Sequence, residues 1–347
     1  MGEISVLGGG SWGTALACHL AGQGKIVQLL FRRPEMAERV ARTRENETYL
    51  PGYALPRTVR VTADPRVALE GATLVLVVTP ARGIDRAAGW LKTIGSARPA
   101  IVSCTKGIRA DSLETPKRTL SKALPGLADR MAVLSGPTFA RDLARGDPSA
   151  AVVAAADPAL AREVQSAVSG GSLRLYTNPD PRGVELAGAL KNVIAIAAGV
   201  VDGLGYGSNT TAALITRGLA EIMRLGTALG GQAATFMGLA GLGDLVLTCT
   251  GALSRNRGVG LELGRGRLLE EIVGETRMVA EGIATAGAAR RLANREHVDM
   301  PIVEQVAAIL FEGRRPADAL AVLLARGLKA EAHHRGGKGT GHRPPVC

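Results

Sequence analysis

Aromatic residues make up 3% of this 347-residue chain, and histidine occurs five times. Single-stranded nucleic acid binds proteins through aromatic stacking platforms, so that scarcity argues against it as a ligand. The core is left to Val, Leu, Ile and Ala. The four cysteines, Cys18, Cys104, Cys249 and Cys347, show no C-x-x-C spacing. That argues against a zinc module or a disulfide framework and for a reducing compartment. Apolar runs such as 74–78 and 193–201 fall well short of the roughly 20 residues a membrane-spanning helix needs. No basic-then-apolar leader precedes the glycine run that begins at Gly8. The expectation is a soluble cytoplasmic protein with no integral membrane segment.

What is present is 46% hydrophobic and 21% charged residues, enough apolar surface to offset chain entropy and exclude wholesale disorder. The length suggests two domains at roughly 100–200 residues each. The net charge of +11 favours anionic partners. No helical segment carries a continuous basic stripe, so a small phosphorylated substrate is expected rather than nucleic acid.

Short β-branched runs alternate with helical stretches through the first half. Strands are expected at 4–7, 25–31, 59–61, 74–79, 100–104, 132–135 and 151–155, with helices from the first glycine turn to about 20 and over 34–44. That alternation implies βαβ units and a mostly parallel sheet. Beyond Pro179 the pattern turns helical, with helices expected over 184–201, 212–229 and 301–310. The predicted architecture is α/β: a Rossmann-like N-terminal domain over 1–180 and an all-α C-terminal domain over 181–330. Residues 331–347, rich in Gly, Pro and basic side chains, read as a disordered tail.

The first strand runs into Gly8-Gly9-Gly10-Ser11-Trp12-Gly13 and then a helix-forming stretch. Gly8, Gly10 and Gly13 fit G-x-G-x-x-G in the strand-to-helix context that gives the motif meaning. Gly8 permits the tight turn, Gly10 lets backbone approach a pyrophosphate, and Gly13 lets helix and strand pack closely. The helix N-terminus presents free N–H groups to the phosphates. The second strand ends at Phe31-Arg32-Arg33, with no acidic residue to hold a ribose 2′-hydroxyl. A guanidinium there can pair with a 2′-phosphate, so NADPH is predicted as the preferred cofactor and NADH as the second.

A dehydrogenase needs a general acid and base. Outside the expected tail only His19 and His297 remain, and neither has an evident partner in sequence. A lysine is favoured by elimination, with its pKa lowered by burial or by cationic neighbours. Lys191 lies between Leu190 and Val193-Ile194 in a largely apolar helix, although a snorkelling lysine would read the same way. Lys106 follows the strand at 100–104, at a carboxyl end where open α/β sheets bind ligands. Gly241–Asp244 and Ser254-Arg255-Asn256 punctuate the helical half. The triplet suits a phosphate cradle or a helix cap equally.

Together these segments resemble the bacterial-type NAD(P)-dependent glycerol-3-phosphate dehydrogenase family. The matching stretches are GGGSWGTALA, NETYLPG, SCTKGI, SGPTFA, ELAGALKNVIAIAAGVVDGLGYGSNTTAALITRGLAEI and GLAGLGDLVLTCTGALSRNRGVG, in order from about residue 4 to 328. The resemblance implies reversible reduction of dihydroxyacetone phosphate to sn-glycerol 3-phosphate, the precursor of glycerophospholipids. It implies cofactor contacts at Ser11, Trp12, Arg32, Arg33, Lys106, Ala140 and Arg255, with Val279 and Glu281 closing from the second domain. It implies substrate contacts at Lys106, Gly136, Thr138, Asp244, Ser254, Arg255 and Asn256, and Lys191 as the proton-transferring group. A homodimer is expected from the apolar helices of the second half. One departure is Gly9, where relatives often carry another small residue; an extra glycine there is expected only to loosen the turn.

Overall fold

The computed structural model describes residues 3–275, 280–328 and 331. Val279 and the expected tail beyond Glu331 lie outside the described residues.

Ten strands form between residues 3 and 178. They are β1 (Glu3–Leu7), β2 (Val27–Leu30), β3 (Glu45–Asn46), β4 (Leu50–Ala54), β5 (Val59–Thr62), β6 (Ala72–Val77), β7 (Ala100–Ser103), β8 (Met131–Ser135), β9 (Ser149–Ala154) and β10 (Leu173–Asn178). Eight of them make one sheet in the order β10-β9-β8-β7-β6-β1-β2-β5, and β3 and β4 pair as a separate hairpin. From β5 to β8 every pairing is parallel. The strand order reverses between β1 and β6, which opens the crevice at their carboxyl ends where such sheets bind nucleotides. The central strands are apolar on both faces because helices cover both, and β1, β2, β6, β7 and β8 are buried almost throughout.

The α/β reading with a mostly parallel sheet holds, with two additions at one edge. β10 is a strand that the sequence reading passed over, and β9 runs antiparallel to β8. The alternation Leu173 in, Arg174 out, Leu175 in was the available signal, confined to the first half of the strand.

Proline punctuates the helices. Pro34, Pro116, Pro158, Pro181, Pro301 and Pro316 each sit in the first turn of one, where the missing N–H has no intrahelical partner to lose. Among the described residues no strand follows Asn178. The second half is built around the long helix Pro181–Gly203, in which residues 183–201 are all buried. A helix apolar all round belongs inside a protein core or a membrane. This one, and the stretch Ala233–Thr250, are long and apolar enough in composition to cross a bilayer, but the apolar span of Pro181–Gly203 is wholly buried inside its own protein, as a core helix is.

The helix Arg255–Gly264 crosses this long helix at backbone contact. A Cβ on Gly260 would collide with the Ile196 carbonyl, and one on Gly199 with the Arg257 carbonyl. The ion pair Arg257–Asp202 at 2.7 Å fixes the same crossing. The start of the crossing helix, Ser254-Arg255-Asn256, is thereby held beside the middle of the long one.

Candidate active site

The glycine turn takes the shape the spacing demanded. Gly8 has φ +130°, and a Cβ there would lie 2.6 Å from the Val78 carbonyl oxygen. A Cβ on Gly13 would strike the Gly8 carbonyl. Gly10 is the N-cap of the helix Ser11–Gly22, and a Cβ on it would meet nothing within 4 Å. That open space lies over helix amides that have no intrahelical partner, which is the concavity a pyrophosphate needs. The chain therefore fits a dinucleotide.

Gly9 corrects an expectation. It does not loosen the turn: the Phe31 ring fills the place of its missing side chain. The NETYLPG segment also acquires a role that sequence reading missed. Asn46 donates to the Gly9 carbonyl at 3.0 Å and to the Thr14 hydroxyl at 2.8 Å, while Ser11 donates to the Tyr49 carbonyl at 2.6 Å. The β3–β4 hairpin thus clamps the turn from outside. Arg32 and Arg33 follow β2 at the surface, and Arg33 lies 3.7 Å from Glu35. Trp12 packs against the sheet core, as does Ala140 at the head of the helix Ala140–Arg145.

Lys191 is buried, with 6% of its surface exposed, so it does not snorkel. Its ammonium donates to Asp244 Oδ1 at 2.8 Å and to Thr248 Oγ1 at 2.6 Å. The Thr248 hydroxyl in turn donates to the Asp244 carbonyl at 2.6 Å. Lys106 reaches the same carboxylate, donating to Asp244 Oδ2 at 2.7 Å and to the Gly136 carbonyl at 2.8 Å. One buried carboxylate thus bridges two ammonium groups, and the cluster keeps a net positive charge. Burial pushes Lys191 down to about 8; Asp244 opposes that and Lys106 adds to it. Each ammonium keeps a third N–H uncommitted among the described residues.

Gly136 ends β8 with φ +150°, a conformation other residues resist, and Thr138 donates to its carbonyl at 3.2 Å. Ser254 caps the helix Arg255–Gly264, accepting the Arg257 N–H at 3.2 Å, so the cap reading of the triplet is realised. The phosphate reading survives beside it, because Arg255 is exposed and makes no hydrogen bond or ion pair with the described residues.

A chain of amides links these parts. Asn192 donates to the Lys106 carbonyl at 3.0 Å, Asn256 donates to Asn192 Oδ1 at 2.8 Å, and the Gly282 N–H donates to Asn256 Oδ1 at 2.9 Å. Next to Gly282, Glu281 accepts the Ala81 N–H at 3.2 Å, which ties the helical half to the loop after β6. Burial pushes its carboxyl up, and Arg255 pulls against that shift. Thr248 and Asn192 were missed in sequence. Thr248 lies one turn after Asp244 and Asn192 adjoins Lys191, so helical spacing was the available clue.

Neither of the two described histidines, His19 and His297, bonds to a member of the lysine cluster. His19 has partners after all: its Nε2 lies 3.1 Å from the Val168 carbonyl and 2.8 Å from Gln23. It serves the end of the helix Pro158–Val168. Cys18, Cys104 and Cys249 are free thiols.

Residues 3–161 match the N-terminal part, and 180–321 the C-terminal part, of the NAD-dependent glycerol-3-phosphate dehydrogenase family. A glycerol-3-phosphate dehydrogenase (NAD(P)+) of Nitratidesulfovibrio vulgaris strain DP4 is 50% identical over 329 residues, 95% of this chain and 100% of that one. One from Geobacter sp. strain M21 is 49% identical, over 95% and 98% of the two chains. The crystal structure of glycerol-3-phosphate dehydrogenase from Coxiella burnetii superposes with a TM-score of 0.87 at 38% identity, covering 94% of this chain and 99% of that one. A ketopantoate reductase family structure from Ralstonia eutropha shares the fold alone, with a TM-score of 0.58 at 15% identity over 92% and 99% of the chains. A glycine turn at the sheet's switch point, two lysines on one buried aspartate and likeness along almost the whole length agree, and this chain belongs to the NAD-dependent glycerol-3-phosphate dehydrogenase family.

Proposed function

We propose that this chain reduces dihydroxyacetone phosphate to sn-glycerol 3-phosphate reversibly, with NADPH preferred over NADH, and so supplies glycerophospholipid synthesis. The observation that carries the reading is the Lys191–Asp244–Lys106 cluster, with Arg255, which makes no hydrogen bond or ion pair among the described residues, held nearby on the crossing helix.

Residues 1–180 form the dinucleotide-binding domain in this reading and 181–330 the substrate domain. Gly8 and Gly13 would shape the cofactor turn, Gly10 would let the backbone approach the pyrophosphate, Ser11 and Trp12 would contact the cofactor, Arg32 and Arg33 would take the 2′-phosphate, and Ala140, Lys106, Arg255 and Glu281 would complete the cofactor site. The nicotinamide, when bound, supplies the hydride. Arg255, Ser254 and Asn256 anchor the substrate phosphate, and that binding energy orients the carbonyl. Gly136 and Thr138 border the same pocket. Protonated Lys191 donates a proton to the developing alkoxide, and its neutral form removes that proton in the reverse direction. A lysine near 8 is suited to both. Asp244 fixes the Lys191 ammonium in place, and Lys106 adds positive charge beside the oxyanion. The chain works as a cytoplasmic homodimer.

The test is NADPH oxidation by the purified protein with dihydroxyacetone phosphate, repeated with NADH and with ketopantoate. Turnover with dihydroxyacetone phosphate is expected. Turnover with ketopantoate alone would overturn the reading.

A further inference from the structure

Lys106 sits on the sheet half of the molecule, at the start of a connection (residues 104–115) between β7 and the helix Pro116–Ala123. The groups that fix its position come largely from the helical half. Asn192 holds the Lys106 carbonyl, and Ile108 is buried in the helical core rather than in the sheet. The far end of the connection is held by Glu185. This carboxylate, 4% exposed, accepts the Lys117 N–H at 2.6 Å and also receives a hydrogen bond from the Thr115 side chain.

Thr115 is the N-cap of the helix Pro116–Ala123, but its own hydroxyl does not cap it. The cap comes from Glu185 on the long helix. N-terminal amides favour an acidic group there. Glu185 and Asn192 are seven residues apart, which places them on one face of the long helix two turns apart. Gly188 lies between them on that side, and a Cβ there would meet Ser135 Oγ with the Lys106 side chain just behind. One helix face therefore grips the connection at both ends, and Lys106 is part of one grip. Glu185 makes no ion pair with the described residues, and burial pushes its carboxyl up to about 7. Glutamine is accordingly a close replacement for its protonated form.

We propose that Glu185 is a positioning residue for the reduction: it holds the Thr115–Lys117 end of the connection against the long helix and thereby keeps Lys106 in register with Asp244 and Lys191. This rests on the role assigned above to Lys106.

The test is a double-mutant cycle of Glu185→Ala with Lys106→Ala, read as kcat, KM for dihydroxyacetone phosphate and Kd for NADPH. Glu185→Ala is expected to lower kcat on the order of tenfold while the NADPH Kd stays unchanged. Glu185→Gln should recover kcat to within about threefold, because it keeps an acceptor for the Lys117 N–H. In the Lys106→Ala background, Glu185→Ala should change kcat by less than about twofold. Equal losses in both backgrounds, or none in the native one while Lys106→Ala is damaging, would overturn the proposal. A harmless Lys106→Ala would instead remove the reading on which it rests. If Glu185→Ala does not fold, the cycle is run with Thr115→Val, and equal losses in both backgrounds count against the proposal in the same way.

Discussion

The glycine turn and the lysine cluster are built by opposite means. The turn is made of backbone: six consecutive residues, Gly8–Gly13, bend one strand into one helix, and side chains matter mainly by being absent. The cluster is made of side chains from separate elements. Lys106, Lys191 and Asp244 come from the loop after β7, the long helix and the head of the helix Asp244–Thr250. The bend of a local backbone device is set by its own residues, with the β3–β4 hairpin only clamping it from outside. A side-chain cluster depends on every element that delivers a member.

The sharpest way to break that contrast is to remove the proton carrier. Lys191→Ala should lower kcat by about 10²–10⁴-fold while NADPH binding, measured by fluorescence titration, stays near native. A loss of cofactor affinity to match would show that the two regions are not separable. Next, Gly13→Ala forces a methyl into the Gly8 carbonyl. It should weaken NADPH binding by about 10–100-fold, about 1–3 kcal/mol, with the Lys191 chemistry retained at saturating cofactor. Arg32→Ala should then cut the NADPH-over-NADH preference in kcat/KM by about tenfold and leave NADH turnover unchanged.

The smallest and most diagnostic effect is in pH. Reduction needs Lys191 protonated, so its kcat should fall as pH rises through about 8. Oxidation needs the neutral amine, so its kcat should rise through the same range. Lys106→Ala removes a nearby positive charge that holds Lys191 down, and should move both midpoints upward. Profiles measured in both directions check the sign.

Sequence alone determined the features that depend on short spacing. The turn was readable because Gly8, Gly10 and Gly13 each answer a backbone requirement that no other residue meets as well. The parallel sheet was readable from apolar strands separated by helices, and the helix starts were marked by proline at Pro34 and Pro301. Lys191 was suspect because a charge among Leu190, Val193 and Ile194 needs a reason.

Only the tertiary structure decided which groups meet. Spacing alone does not say that Asp244 would bridge Lys191 and Lys106 together, 53 and 138 residues away. Nor does it say that Asn46 would clamp the turn, or that Glu185 would cap a helix of the other half. Contacts between separate elements depend on the distance to which those elements approach one another. At Gly199 and Gly260 that distance is set by the absence of a single carbon on each side, a steric fact that exists only once the two helices cross.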